Sequence, residues 1–262
     1  MSLTVALIAD VHHGSDGAYV RGSAALPLFE RVLRELKPLT PALLVDLGDR
    51  INETELEKAK VATAAVAKRY RDVVLPKAFL QGNDDLTPRR EQETLFGLPI
   101  GNRCLELSGW RLVFLDTFDG SVEGVLRTDT LGWLEHTLAD SPLPAVVFSH
   151  QPLDGAPLPG NVFFGGADAH QAHPRGHETA RRVMERSRRV KLAVSGHAHW
   201  NYRVTVGGIP YLTQDALVPL IQAQENTGNY GLLTLTDNFM QLEVFGRSPW
   251  RVRLELNSET RP

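Results

Sequence analysis

The chain has 262 residues, 42% hydrophobic and 23% charged, with a formal net charge of -3. That length buries a sizeable core in one α/β domain, 1–262, and the negative balance argues against nucleic acid as a partner. The lone Cys104 excludes an internal disulfide, and no stretch nears the roughly 20 apolar residues of a membrane span, so a cytoplasmic chain with no membrane partner is expected.

Residues 3–9 form a continuous apolar run, the pattern of a strand buried on both faces, and the run stops at Asp10-Val11-His12-His13. Leu26, Phe29, Leu33 and Leu36 recur at helical spacing until Pro38 and Pro41. A second run, 42–47, ends in Gly48-Asp49. The alanine-rich segment 53–70 predicts a helix, and a third run, 77–80, ends in Gly82-Asn83-Asp84-Asp85. Strand, helix, strand, helix, strand implies a parallel sheet with crossover helices, whose ligands bind beyond the carboxyl ends of the strands. Asp10, Asp49 and Asn83 would gather at that edge.

A short helix over 88–96 is followed by a hairpin, 105–107 and 110–115, turning at Ser108-Gly109. Asp129 suits the N-cap of a helix with the stripe Leu131, Leu134 and Leu138. A fourth buried run, 145–148, ends in Ser149-His150. Segment 154–176, rich in Gly, Pro, Ala and His, has no period, and a loop that long inside a compact domain is usually functional. A basic helix, 177–188, leads into the apolar run 190–194 and Ser195-Gly196-His197-Ala198-His199. Gly196 permits a sharp turn, and in an extended segment His197 and His199 aim both imidazoles into one volume, which suits a divalent metal. A hairpin at Gly207-Gly208 and alternating runs at 232–235 and 241–245 predict antiparallel strands.

Five apolar runs thus end in metal-competent side chains: Asp10 with His12, Asp49, Asn83, His150, and His197 with His199. In this order, Asp10-x-His12, Gly48-Asp49, Gly82-Asn83-x-Asp85, His150 and Gly196-His197-x-His199 resemble the motifs of the calcineurin-like metallophosphoesterase superfamily. Leu134-Glu135 and the stretch from Val146 to Pro152 look most like the branch that contains class III cyclic nucleotide phosphodiesterases. The resemblance implies a four-layer α/β/β/α sandwich of two mixed sheets flanked by helices. It also implies two divalent or trivalent transition-metal ions: one held by Asp10, His12, Asp49 and His199, the other by Asp49, Asn83, His150 and His197. Independently, two divalent ions about 3.5–4 Å apart need a shared anion, and mixed N/O ligation suits Mn, Fe or Zn. The expected reaction is hydrolysis of a small phosphodiester, such as a cyclic nucleotide, by in-line attack of a hydroxide between the metals. A phosphomonoesterase, a nucleotide pyrophosphatase and a non-catalytic metal-stabilised scaffold are the alternatives. A homodimer is compatible with the sequence.

Asp84 stands where many members carry a histidine thought to protonate the leaving oxygen. Three readings are open. Asp84 itself is the acid, its pKa raised by Asp85; or it points away and His13, His170, His173 or His177 takes the role; or the substrates have good leaving groups. Asp84, Asp85 and His13 are therefore the catalytic candidates, and Asn83, His173 and Asn201 the candidates for substrate contact. The basic run Arg175, Arg181, Arg182, Arg186, Arg188, Arg189 and Lys191 reads as a solvated helix face or as a surface steering anions.

Overall fold

Alternation within the apolar runs decides the layers. In the computed structural model, which describes residues 2–222 and 228–256, β1 (Ser2–Ile8) sends Leu3, Val5 and Leu7 to one side and Ala6 and Ile8 to the other. Both sides are buried, which is why the run is apolar throughout. The chain continues through β2 (His13–Gly14), α1 (Ala25–Leu36), β3 (Leu43–Asp46), β4 (Ile51–Asn52), α2 (Leu56–Arg71), β5 (Lys77–Phe79) and α3 (Arg89–Phe96). Then come β6 (Arg103–Leu107), β7 (Trp110–Leu115), α4 (Thr128–Ala139), β8 (Ala145–Ser149), α5 (His177–Ser187) and β9 (Val190–Ser195). The last strands are β10 (Tyr202–Val206), β11 (Ile209–Thr213), β12 (Tyr230–Thr236), β13 (Phe239–Phe245) and β14 (Trp250–Glu255).

Two six-stranded mixed sheets result, in the orders β14-β13-β12-β1-β3-β5 and β10-β11-β9-β8-β7-β6. β1, β3 and β5 run parallel, as do β7, β8, β9 and β11. The sheets meet through Leu3, Val5, Leu7, Val45, Phe114, Phe148 and Val194, with the rings of Phe114 and Phe148 stacked 5.3 Å apart. The outer face of the first sheet is covered by α1, α2 and α3 through Phe29, Val32, Val66, Tyr70 and Phe96. That of the second is covered by α4 and α5 through Leu134, Leu138, Val183 and Met184. This is the four-layer sandwich. Among the described residues no helix is long and apolar enough to cross a membrane.

One local expectation is corrected. Asp129 lies inside the first turn of α4, whose N-cap is Arg127, and its carboxylate accepts the neighbouring Thr130 N–H at 2.9 Å. The basic run is a solvated face, as one of the two sequence readings has it, and its charges are largely paired. Arg182 pairs with Glu178 and Arg186 with Glu135, while Arg181 donates to the Asp154 carbonyl and Arg189 to that of Pro142.

Candidate metal centre

The parallel strands end at one edge, and each is followed by a tight turn that aims a ligand-type side chain into it. Asp10, His12, Asp49, His197 and His199 have φ of 53°, 45°, 54°, 66° and 50°. Left-handed backbone at a residue other than glycine costs about 1–3 kcal/mol, and Asp and His tolerate it better than most. Backbone hydrogen bonds hold these turns in place: Asp10 N donates to Gly48 O at 3.1 Å, His12 N to Asp49 O at 2.9 Å, and His197 N to the Asp10 carboxylate at 3.0 Å. Gly82 has a packing reason. A Cβ there would collide with the Asp49 carboxylate oxygen and backbone nitrogen.

The turns bring all seven expected ligands together in two abutting clusters, Asp10 with His12 and His199, and Asp49 with His150 and His197. Asn83 joins the second through its Oδ1, 3.1 Å from His150 Nε2. Asp49 lies between the clusters, with Oδ2 3.2 Å from His150 Nε2 and 3.7 Å from His12 Nε2. The extended reading of His197 and His199 is corrected. With both residues left-handed the rings diverge, His197 toward His150 at 3.2 Å and His199 toward His12 at 3.0 Å.

The donor chemistry fits cations. His150 Nδ1 donates to Leu47 O at 2.9 Å and His197 Nε2 to Gln171 O at 3.0 Å. Those bonds set the tautomers and leave His150 Nε2 and His197 Nδ1 as lone pairs facing each other, Asp49 Oδ2 and Asn83 Oδ1. Acceptors converging on acceptors need a positive charge among them. In the metal-free chain protons fill that role. Burial pulls the His150 pKa down, but the Asp49 carboxylate outweighs it and raises it to about 9. Burial raises Asp10 to about 7 against the pull of His150. Burial, with His150 beside it, pushes His197 down to about 3. His199 is lowered well below its ordinary value by burial and by His12. Burial would raise Asp49, yet His150, His12 and His197 hold it below the usual carboxylate range.

Asp84 lines the cavity beside the clusters, its N–H on Asp49 Oδ1 at 2.8 Å and its Oδ2 3.7 Å from His12 Nδ1. Shielding from water, then the Asp49 charge, raises its pKa to about 6. Four other candidates are corrected. Asp85 turns into the protein. Its oxygens accept Arg50 N–H at 2.9 Å and Gly82 N–H at 3.0 Å, and Arg50 Nη1 lies 2.5 Å away. His13 is half-buried near Gly22, Arg69 and Glu53 rather than lining the cavity. His173 has Pro152 O and Ala156 O at its two ring nitrogens, 3.0 and 2.9 Å away. Asn201 ties loops together, accepting Asp215 N–H and donating to Ser248 O, both at 2.8 Å. His170 and His177 are likewise apart from the centre, on Glu123 and on the Pro174 carbonyl.

Three contributors carry little sequence signal. Arg50 is wholly buried, with Asp46, Asp85 and Gln92 around its guanidinium. Gln171 acts through its backbone. Phe163 and Phe164 wall the cavity, and their adjacency inside an otherwise aromatic-poor loop was the one available sign.

The model of the family described as calcineurin-like phosphoesterase matches residues 3–201. A probable cyclic nucleotide phosphodiesterase from Synechococcus is 29% identical over 206 residues, covering 76% of this chain and 74% of the relative. A 3′,5′-cyclic-nucleotide phosphodiesterase from Nostoc is 22% identical over 260 residues, covering 97% of this chain and 92% of the relative. The fold is also that of a dimetal phosphatase from Danio rerio, with a TM-score of 0.80 at 17% identity over 97% of this chain and 99% of that one. Since the matched span runs from β1 past His199 and takes in both clusters, the chain belongs to the calcineurin-like phosphoesterase family.

Proposed function

We propose that this phosphoesterase is a binuclear metal-dependent phosphodiesterase acting on small diesters. The observation that carries the reading is the meeting of two ligand clusters at Asp49. One ion would be held by Asp10, His12, Asp49 and His199, and the other by Asp49, Asn83, His150 and His197. Carboxylate, amide and imidazole without thiolate suit Mn, Fe or Zn. When bound, the ions supply Lewis-acid charge and a more acidic water at neutral pH.

The surrounding residues favour diesters. The cavity, about 260 Å³, has no Lys or Arg among its lining residues. Without such cations the second charge of a phosphomonoester dianion is offset less well than the single charge of a diester. The two relatives named as cyclic nucleotide phosphodiesterases agree with that preference. Asp84 lines the cavity and forms a third group of ligand-type side chains with His12 and Asp49, and that position beside the reacting phosphate supports a role in holding a proton for the departing oxygen.

Leaving-group dependence tests that role. Asp84→Asn is expected to lower kcat about 10²-fold or more for a diester with an alkoxide leaving group, and less than about tenfold for a nitrophenyl diester. Equal losses for both substrates would remove Asp84 from proton transfer. A screen of Mn2+, Zn2+ and Fe2+ against an aryl diester, an aryl monoester and cyclic nucleotides tests the wider reading. Monoester-only turnover, or none in protein holding two ions, rejects it.

Metal loading should also release protons. Near neutral pH the metal-free chain keeps protons on Asp10 and His150, whose pKa values lie at about 7 and about 9. Ligation requires both groups deprotonated, so affinity rises with pH. Calorimetry in buffers of different ionisation enthalpy is expected to show about two-thirds of a proton more released at about pH 6.5 than at about pH 8, where Asp10 is mostly ionised. Release that does not change over this range counts against Asp10 as a ligand.

A further inference from the structure

Beside the two clusters the chain builds one wall of the cavity from aromatic rings. The ring of Phe163 lies 4.6 Å from that of His199, and Phe164 stacks on His197 at 4.6 Å with planes 26° apart. Tyr19 meets Phe163 nearly edge-on at 5.2 Å. The wall is tied directly to the ligand stretch. Asn161 Oδ1 accepts the N–H groups of Phe163 and Phe164, both at 2.9 Å, and its Nδ2 donates at 2.7 Å to the carbonyl of Ala198, between the two histidines. The backbone of Tyr19 is held by the segment after β11, where its carbonyl accepts Ile221 N–H at 2.6 Å and Arg21 N donates to Pro219 O at 3.0 Å.

Packing alone accounts for Phe164, which is buried with Leu158, Ala172 and Ala198. It does not account for Tyr19. That residue is 50% exposed, and among the described residues its ring meets that of Phe163. An aromatic side chain left open to water at the mouth of a site sized for a phosphate is suited to stacking a planar ring. The same cavity is lined by Asn52, Asn83 and Asp84, which are polar. The organic group of the substrate therefore meets an open aromatic face beside the clusters, on which a planar nucleobase stacks and a glycerol or alkyl chain does not.

We infer that Tyr19 and Phe163 form the subsite for the nucleobase of the substrate, so that the chain prefers base-bearing phosphodiesters to alkyl ones. The inference rests on the phosphodiesterase reading and names the substrate class of that site. Tyr19 touches the base and not the reacting atoms, so its effect falls on KM and on product binding rather than on kcat.

The test uses metal-loaded full-length protein as wild type, Tyr19→Ala and Tyr19→Phe. Steady-state rates are measured with 3′,5′-cyclic AMP and with glycerophosphoethanolamine. Binding of AMP and of ribose 5-phosphate is measured by calorimetry. Tyr19→Ala is expected to raise KM for cyclic AMP about tenfold with kcat within about twofold, and to leave the alkyl diester unchanged. Tyr19→Phe, which keeps the ring, should behave as wild type. AMP should bind wild type about tenfold more tightly than ribose 5-phosphate does, and Tyr19→Ala should abolish that preference. Equal binding of the two in wild type, or a preference that survives Tyr19→Ala, overturns the subsite. If no diester is turned over while the AMP preference is present and lost in Tyr19→Ala, the subsite stands and the phosphodiesterase reading falls.

Discussion

Replacing Asp49 by asparagine is expected to leave the chain with at most about one ion, and to slow diester turnover by far more than the roughly 10–100-fold typical of an outer-sphere partner. Two divalent cations about 4 Å apart repel by about 16 kcal/mol at an effective dielectric near 20. Asp49 is the carboxylate placed between the clusters, within 3.2 Å of His150 Nε2 and 3.7 Å of His12 Nε2. An amide keeps its shape and removes the charge that offsets the repulsion. Elemental analysis after dialysis reads the metal content, and circular dichroism checks the fold. A variant that keeps two tightly held ions and full turnover rules out Asp49 as the shared ligand.

Arg50→Met is expected to destabilise the protein by about 3–5 kcal/mol, a large part of the roughly 5–15 kcal/mol that keeps a typical domain folded. The guanidinium is fully buried, with Asp85 at 2.5 Å, Asp46 at 3.2 Å, and the rings of Phe79 and Phe96 over it. Removing it leaves two buried carboxylates without their cation. Asp85 meanwhile clasps the backbone of Arg50, next to Asp49, and of Gly82, next to Asn83. The clasp therefore joins two ligand loops, and metal affinity should fall together with stability. Urea denaturation of Arg50→Met, Asp85→Asn and the double variant should show a coupling of about 0.5–3 kcal/mol. Additive losses, or an Arg50→Met midpoint within about 1 kcal/mol of wild type, argue against the clasp.

Much of the centre was legible in the sequence because a parallel sheet gathers whatever follows its strands. Asp10, Asp49, Asn83, His150 and His197 each follow an apolar run, and that placement needs no long-range information. The directions of the side chains did need it. His197 and His199 looked like an extended pair, but left-handed φ at both sends them to different clusters, and local spacing does not encode φ. Asp84 and Asp85 are neighbours with opposite fates. Only the distant Arg50 explains why Asp85 turns inward while Asp84 faces the cavity. His173 and Asn201 looked free, yet they bind the carbonyls of Pro152 and Ser248, more than 20 residues away in sequence in each case. Phe163 and Phe164 lay in the one long stretch without periodicity, where pattern reading has nothing to count.

The bond from His197 Nε2 to the carbonyl of Gln171 has one further consequence. An imidazole coordinated through one nitrogen becomes a stronger donor at the other. Metal bound at the centre would thus stiffen the long segment before α5 that also carries Phe163 and Phe164, and order in that segment would in turn favour binding, since such coupling is reciprocal. Substrate selection and cofactor retention then share a single thermodynamic link, so a change that loosens this segment weakens both, however far it lies from phosphorus.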